Sequence, residues 1–318
     1  MNARVVLALA LLVTASAYAQ NYPARPLRMI VPFPAGGGSD AVGRIIAQKL
    51  TERFSQQVVV DNRAGAGGSV GTEAAVRATP DGHNMVLAST SEIAINPALY
   101  KLSYDTLNDL TPVAMVASTA MVVVVAPSAG LDSIKDLVAL SKAKPGALNV
   151  ASAGTGTITH LSGELFRSLA DLKWTHVPYK GAPPALTDLA GGRVQVMFSS
   201  LPAAMPLIKS ARIKPIAVST RSRQPSLPDM PTVIESGVPG YDVEYWYGVF
   251  VPAATPKATL TRLATEIEQS LKQKDVITNL GNQGALPGNT TQPQFAQFVR
   301  AEYARWTKLV KSSGAKAD

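Results

Sequence analysis

Pro32-Phe33-Pro34-Ala35-Gly36-Gly37-Gly38-Ser39-Asp40 connects a short apolar run, residues 27–31, to an amphipathic segment. Apolar residues recur in that segment at three- and four-residue spacing through Leu50, which predicts a helix with Ser39 or Asp40 as its N-cap. A strand, a glycine-rich turn and a helix N-terminus present unpaired backbone N–H groups and the positive end of a dipole. The segment therefore predicts a site for a small anion, a carboxylate or a phosphate. The alternative is a tight turn that uses its glycines only for conformational freedom.

Residues 1–19 have the pattern of a secretory signal peptide. Arg4 precedes an apolar core, Val5 to Val13, and the small residues Ala17 and Ala19 follow it at the spacing of a cleavage site. The apolar core is too short to span a bilayer. We therefore expect cleavage after Ala19 and export of the remaining chain to the periplasm.

The composition of the full sequence limits the classes of protein that this sequence could form. It has no cysteine, which excludes a disulfide framework and a lipoprotein anchor, and 46% hydrophobic residues, enough for a sizeable core in two lobes. The net charge is +8, but lysine and arginine are scattered, which argues against nucleic-acid binding and suits a small anionic ligand. Three isolated histidines do not suggest a metal site, and no cofactor is expected.

Strands and helices alternate along the chain, as in a parallel sheet with helices on its faces. A strand over Leu148–Ala151 runs into Ser152-Ala153-Gly154-Thr155-Gly156-Thr157, and an amphipathic helix follows, which repeats the arrangement of the first segment. Ligands of such sheets bind beyond the carboxyl ends of the strands, so the two turns predict two lobes that face one cleft. Val113–Val116 and Met121–Ala126 are predicted as separate strands. We expect the chain to cross between the lobes near Met121–Ala126 and Tyr245–Val251.

Seven segments, in their order along the chain, resemble the Bug family, the extracytoplasmic solute receptors of tripartite tricarboxylate transporters. Together they extend over essentially the whole chain after the signal peptide. The segments are Tyr22-Pro23 to Asp40, Asn62 to Gly71, Thr79-Pro80-Asp81-Gly82, Asn96-Pro97-Ala98-Leu99-Tyr100, Ser152 to Leu161, Pro178-Tyr179-Lys180-Gly181, and Leu227-Pro228-Asp229-Met230-Pro231-Thr232 with Glu235-Ser236-Gly237.

The resemblance implies an α/β, two-lobed periplasmic-binding-protein fold of type II, the Venus-flytrap arrangement, with a ligand cleft between the lobes. Lobe 1 would comprise residues 20–121 and 247–318, and lobe 2 residues 122–246. The implied function is that of a periplasmic, non-enzymatic receptor. It would capture a small organic carboxylate and deliver it to the membrane components of a tripartite tricarboxylate transporter. We expect the receptor to act as a monomer.

The resemblance also implies a binding site to which both lobes contribute, partly through ordered water. Glycines let backbone N–H groups approach the ligand, and hydroxyl groups can donate to a carboxylate. Asp40 is expected to cap the helix or hold water, Trp246 and Tyr247 to wall the cleft or belong to the core, and His160 to bind ligand or hold the loop. The predicted site residues are Phe33, Pro34, Gly37, Gly38, Ser39, Asp40, Ser91, Ser152, Thr155, Gly156, Thr157, His160, Ser199 and Trp246.

Ser199 departs from part of the family. Members that resemble amino-acid receptors carry a carboxylate near the end of the strand that here ends Phe198-Ser199-Ser200, where it can pair with a ligand ammonium. A serine cannot supply that charge. The sequence therefore predicts a ligand without an amino group: a dicarboxylate, a tricarboxylate or an aromatic acid.

Gly67-Gly68-Ser69-Val70-Gly71 matches G-x-S-x-G, so a secreted serine hydrolase that uses Ser69 is the alternative function. A nucleophile elbow needs a strand directly before the serine, whereas the predicted strand ends near Asp61 and several small residues intervene. The spacing therefore disfavours the hydrolase.

Overall fold

The computed structural model describes residues 22–313, with side chains through residue 311. The predicted signal peptide, residues 1–19, lies outside the described residues. Ten strands form one twisted sheet within this part of the chain. They are β1 (Leu27–Val31), β2 (Val58–Asn62), β3 (Asn84–Ser89), β4 (Leu110–Val125), β5 (Asn149–Ser152), β6 (Thr175–Pro178), β7 (Val196–Ser200), β8 (Lys214–Val218), β9 (Glu244–Pro252) and β10 (Ala285–Pro287).

Helices cover the sheet. The α-helices are α1 (Gly38–Phe54), α2 (Ser69–Val76), α3 (Asn96–Leu99), α4 (Ile134–Ala143), α5 (Ile158–Leu169), α6 (Ala182–Ala190), α7 (Leu201–Lys209), α8 (Lys257–Leu271), α9 (Lys274–Asn282) and α10 (Gln292–Ser313). Short 3-10 turns lie at Ala66–Gly68 and Pro127–Ala129, and a π-helical turn spans Ser91–Ile95. No helix between residues 22 and 313 combines the length and apolar character needed to cross a bilayer.

The strand order is β2-β1-β3-β9-β4-β7-β5-β6, and β8 and β10 also pair with β4. Parallel strands form each end of the sheet: β1 lies between β2 and β3, and β5 lies between β6 and β7. The two ends are joined by β4, whose residues 110–120 pair with β9 and whose residues 121–125 pair with β7 and β8. Each end thus has the strand–helix alternation predicted from the sequence, and the two meet along one shared strand.

The prediction of two separate strands at Val113–Val116 and Met121–Ala126 is wrong, because β4 runs without a break from Leu110 to Val125. Polar residues in its middle do not end it, since they continue the ladder with β9. Thr119 is buried there and its hydroxyl donates to the carbonyl of Gly284 at 2.7 Å, which satisfies the side chain inside the fold.

Apolar cores lie on both faces of the sheet, which explains the valine run of β4. Val123 and Val125 belong to one buried cluster, and Val122 and Val124 to another. Successive side chains of a strand point to opposite faces, so a strand with helices on both faces has no polar side. The same alternation at β9 sends Tyr247 and Trp246 into different clusters.

Candidate functional site

A cavity opens where the glycine-rich turn after β1, the loop after β5 and the start of α7 come together. It contains about 390 Å³ of free space, part of which is open to solvent. Its walls come from both ends of the sheet, and the tyrosines of β9 form its floor. The lining residues are Phe33, Pro34, Gly37, Gly38, Ser39, Ser91, Ala153, Thr157, Ile158, Thr159, Ala182, Pro183, Ser200, Tyr245 and Tyr247.

The N-terminus of α1 forms one wall of this cavity. Gly37 is the N-cap residue, in an extended conformation, and the helix begins at Gly38. The backbone N–H groups of Gly38, Ser39 and Asp40 find no acceptor among the described residues. These groups are the unsatisfied donors of a first helical turn, and the positive end of the helix dipole lies with them.

Asp40 is not the N-cap that the sequence predicted, and neither is Ser39, because both lie inside the first helical turn. The Asp40 carboxylate accepts from the Gly36 N–H at 3.0 Å, from Arg44 Nε at 2.9 Å and from Asn62 Nδ2 at 3.0 Å. Burial opposes ionisation of this carboxyl, but the hydrogen bonds from Arg44, Gly36 and Asn62 outweigh it and lower its pKa. Asp40 therefore fixes the glycine turn from behind and does not line the cavity.

The second predicted loop, between β5 and α5, faces α1 across the cavity. Thr157 is the N-cap residue of α5 and lines the cavity. Two hydrogen bonds tie this loop to the other end of the sheet: the Ile158 N–H donates to Ser91 Oγ at 3.0 Å, and Tyr100 Oη donates to the Thr155 carbonyl at 2.7 Å. The first N–H of α5 is thus already satisfied and is not free to bind a ligand. The start of α5 instead connects the two ends of the sheet.

Three further predicted residues lie beneath the same loop. Ser152 Oγ lies 2.7 Å from Nε2 of His176, and the ring of His160 stacks on that of His176 with 4.0 Å between centroids. The Gly156 N–H donates to Nδ1 of His160 at 3.2 Å. In this structure His160 and Ser152 support the loop, and neither they nor Gly156 and Thr155 line the cavity.

The floor of the cavity is formed by alternate residues of β9. Tyr245 and Tyr247 line it, with ring centroids 4.7 Å apart. Trp246 lies on the opposite face, where its Nε1 donates to Glu302 at 3.1 Å and its ring packs against Phe295. Period-two alternation along an apolar strand was the signal that could have selected Tyr245 in place of Trp246.

At the end of β7, the residue that lines the cavity is again one position away from the predicted one. Ser199 is fully buried and its hydroxyl donates to the Ser200 carbonyl at 3.3 Å, whereas Ser200 lines the cavity.

The structure thus brings seven of the predicted residues to the cavity and leaves the others behind it; contact with ligand stays a prediction for all of them. The seven are Phe33, Pro34, Gly37, Gly38, Ser39, Ser91 and Thr157.

Side chains with formal charge do not line this cavity in the described part of the chain. Burial raises the pKa of Tyr245 and of Tyr247, so both hydroxyls are neutral donors. Lys180 lines an adjoining outer cavity of about 750 Å³, opposite the glycines Gly65, Gly67 and Gly68. An anion in the inner cavity would therefore be held by backbone and hydroxyl donors.

Glu92 is a buried carboxyl that the sequence did not single out. It lies behind the cavity wall, where Oε2 accepts from the backbone N–H and the hydroxyl of Ser89, and Oε1 has no partner among the described residues. Burial raises its pKa to about 7, against the smaller opposing effect of the bonds from Ser89. Tyr245 donates to the same Ser89 hydroxyl at 2.9 Å, so Glu92 is connected to the cavity floor.

Ser69 lacks the setting of a hydrolase nucleophile. It is the first residue of α2, it follows the 3-10 turn Ala66–Gly68, and β2 ends at Asn62. Its hydroxyl accepts from Asn96 Nδ2 at 3.0 Å. A nucleophile elbow places the serine directly after a strand, so this geometry does not favour the alternative function.

The fold and the cavity define a class of protein. A sheet with two parallel ends, and a cleft lined from both, is the two-lobed architecture of the periplasmic solute-binding proteins. Solved members of that class superpose closely. Rpa4515 of R. palustris with adipate has a TM-score of 0.90 at 35% identity, over 93% of this chain and 99% of that one. MatC from Rhodopseudomonas palustris with bound malate has a TM-score of 0.86 at 31% identity, over 91% and 100%.

Within that class the chain belongs to the tripartite tricarboxylate transporter family receptors, whose sequence profile matches residues 42–315. The protein BugT of Bordetella pertussis is 37% identical over 96% of this chain and 94% of its own length. The resemblance to the Bug family and the two-lobed α/β fold are therefore confirmed.

Proposed function

We propose that this protein is a periplasmic receptor that captures a small organic carboxylate between its lobes and delivers it to the membrane components of a tripartite tricarboxylate transporter. The carboxylate would be a dicarboxylate, a tricarboxylate or an aromatic acid without an amino group. The proposal includes export with cleavage after Ala19, a monomeric state, and lobes at residues 20–121 with 247–318 and at residues 122–246.

The observation that carries the proposal is the set of three unpaired backbone N–H groups at Gly38, Ser39 and Asp40, at a cavity lined from both sides. A carboxylate offers about four lone-pair sites, all of them acceptors, and matches such a donor set. The helix dipole adds an attraction of about 0.3–1 kcal/mol at an exposed site, and more where water is excluded.

Closure of the lobes would couple capture to recognition by the transporter. A ligand shifts the open–closed equilibrium only by the difference in its affinity for the two states. Here α1 contributes its N–H groups from one lobe and Ser200 and Thr157 line the cavity from the other. A ligand that touches both sides binds the closed state better, and the closed state is the form that a membrane partner can distinguish.

The experiment is a thermal-shift screen of the mature protein, unfolded and refolded to remove any carried-over ligand. The panel contains organic acids, their methyl esters and amides as matched controls, amino acids and sugars. A ligand at 100 times its Kd adds about 2.7 kcal/mol to the free energy of unfolding. Shifts confined to the free acids support the proposal. Stabilisation by esters as strong as by acids, or by sugars alone, contradicts it.

A further inference from the structure

One buried hydroxyl on the cavity floor has no hydrogen-bond partner. Tyr247 is fully buried, and its Oη makes no hydrogen bond of ordinary length and angle among the described residues, although the hydroxyls of Ser200 and Tyr245 lie near enough to affect its pKa. Buried polar groups are nearly always satisfied, and a vacant one needs an explanation. Its neighbour Tyr245 is satisfied, because it donates to Ser89 at 2.9 Å. Tyr247 is therefore the hydroxyl on the cavity floor that is available to hydrogen-bond a ligand.

Two more polar groups lie at the start of α7. Ser200 holds the N-cap position of that helix but makes no capping hydrogen bond. Pro202, in the first turn, has no N–H to offer it. The backbone nitrogen of Ala203 belongs to the same first turn. An N-cap serine that does not cap its own helix has its hydroxyl available for another partner.

These three groups converge on one point at the start of α1. A Cβ built on Gly38 would lie 2.6 Å from Ser200 Oγ, 2.7 Å from Tyr247 Oη and 3.4 Å from the Ala203 nitrogen. The absence of a side chain at Gly38 is what allows the hydroxyls and the N–H to meet beside the unpaired N–H groups of α1. The N-termini of two helices, α1 and α7, therefore face the same end of the cavity.

The polar groups at this end of the cavity outnumber those that one carboxylate needs. The N–H groups of Gly38, Ser39 and Asp40 already supply three donors to its two oxygens. A second polar atom of the ligand would have to satisfy Tyr247 and Ser200. Two helix N-termini repel a cation, so an ammonium does not fit, whereas an oxygen substituent can pair with both hydroxyls.

We infer that the hydroxyls of Tyr247 and Ser200, beside the start of α1, form a subsite for an oxygen substituent on the carbon next to the bound carboxylate, which selects 2-hydroxy or 2-oxo acids. The inference rests on the proposed function and adds a substrate class to it. Tyr247 acts as the specificity-determining residue, because a ligand that lacks the substituent leaves its hydroxyl unpaired in a closed site.

Two sets of acids that differ only at the second carbon provide the test: succinate, malate and aspartate, and glutarate, 2-hydroxyglutarate and glutamate. Kd values are measured by calorimetry for the refolded wild type, Tyr247→Phe, Ser200→Ala and Tyr241→Phe. We expect the wild type to bind the hydroxy acid about tenfold tighter than the unsubstituted acid, and the amino acid most weakly.

In Tyr247→Phe the hydroxy preference should fall to about twofold or less, while the affinity for the unsubstituted acid is kept. The unliganded variant should melt no lower than the wild type, because it loses a hydroxyl that had no partner. Tyr241 is the control. It is equally buried, but its hydroxyl donates to the Ser162 carbonyl at 3.2 Å, away from the cavity. Tyr241→Phe should melt lower and keep the hydroxy preference.

Ser200→Ala gives the same readout if Tyr247→Phe does not fold, and its hydroxy preference should also fall. A wild type that binds the acids without a hydroxy preference overturns the subsite and leaves the carboxylate receptor standing. A wild type that binds aspartate or glutamate most tightly overturns the subsite and also the proposal that the ligand has no amino group. A hydroxy preference that survives in both cavity variants overturns the subsite as well. A wild type that binds none of the six acids overturns the subsite, and the proposed function falls with it only if every free acid of the thermal-shift panel also fails to stabilise the protein.

Discussion

Replacing Gly38 by alanine adds one methyl group at the point where α1, α7 and β9 meet. The new Cβ would lie 2.6 Å from Ser200 Oγ and 2.7 Å from Tyr247 Oη, inside ordinary van der Waals contact. The serine can rotate away, but the tyrosine is fully buried and packed against Tyr245. The backbone N–H of residue 38 remains, so the substitution changes volume and leaves the donor in place.

The expected change in Kd depends on whether the open state, the closed state or both contain this steric overlap. Inserting a methyl group into a packed site costs about 1–3 kcal/mol. Tyr247 belongs with Gly38 to the predicted first lobe, so its overlap with the new methyl group is present in both states. Ser200 belongs to the predicted second lobe, so its overlap is the part that the closed state alone contains. We expect Kd to rise about 5- to 150-fold. Alanine also favours a helix over glycine by up to about 1 kcal/mol, but this gain is equal in both states and cancels from Kd.

Calorimetry with the acid that stabilises the wild type most provides the assay, and Gly37→Ala is the matched control. A Cβ at Gly37 would come no closer than 3.4 Å to any atom, and φ there is −85°, which alanine adopts freely. Gly37 lines the cavity, so the Kd of this variant can rise, but by less than that of Gly38→Ala, because the new methyl group overlaps no hydroxyl. Equal affinity losses in the two variants, or no loss in Gly38→Ala, would refute the packing argument. With the unsubstituted acid, whose affinity Tyr247→Phe alone should keep, the double variant Gly38→Ala with Tyr247→Phe should recover part of the lost affinity.

Three further predictions concern the residues around the cavity. Tyr100→Phe removes the 2.7 Å bond to the Thr155 carbonyl, so the closed state should lose about 1 kcal/mol and Kd should rise about fivefold by calorimetry; an unchanged Kd would mean that the bond exists equally in the open state. The pKa of Glu92 is raised to about 7, so the folded state holds a proton that the unfolded chain has already released near its ordinary value of 4.5. The stability of the wild type relative to Glu92→Gln should therefore fall between pH 4.5 and 7, by up to about 3 kcal/mol, in urea unfolding series; parallel curves would contradict this sign. Ser69→Ala should leave ligand Kd unchanged and lower the unfolding free energy by about 1 kcal/mol through the lost bond from Asn96, whereas an ester hydrolysis activity that this variant abolishes would revive the hydrolase.

Local patterns were sufficient to predict the elements that build the cleft. The strand at residues 27–31, the glycine turn and the amphipathic helix to Phe54 are where the sequence indicates them, because their periodicity and turn residues act over short distances. The continuity of β4 was not predicted, because β9 lies more than a hundred residues away and supplies the hydrogen bonds that carry the strand through its polar centre.

The candidate site likewise contains some residues that local sequence patterns predicted and others that they did not. Gly37, Gly38 and Ser39 were selected from their own turn, and they line the cavity. Tyr245 and Ser200 were missed by one position each, because which face of a strand meets the cavity depends on its partners in the sheet. Glu92 has no local signal at all, since its burial is produced by the elements packed around it.

The sequence by itself determined the class of fold, the family and the glycine turn that offers backbone donors, because these depend on residues close together in the chain. Only the tertiary structure decided that the start of α5 is bound by Ser91 and that the start of α7 meets the start of α1. Likewise, only the tertiary structure identified the hydroxyl of Tyr247 as unpaired. Whether a polar group is satisfied depends on distances between segments far apart in the chain, and those distances exist only once the chain has folded.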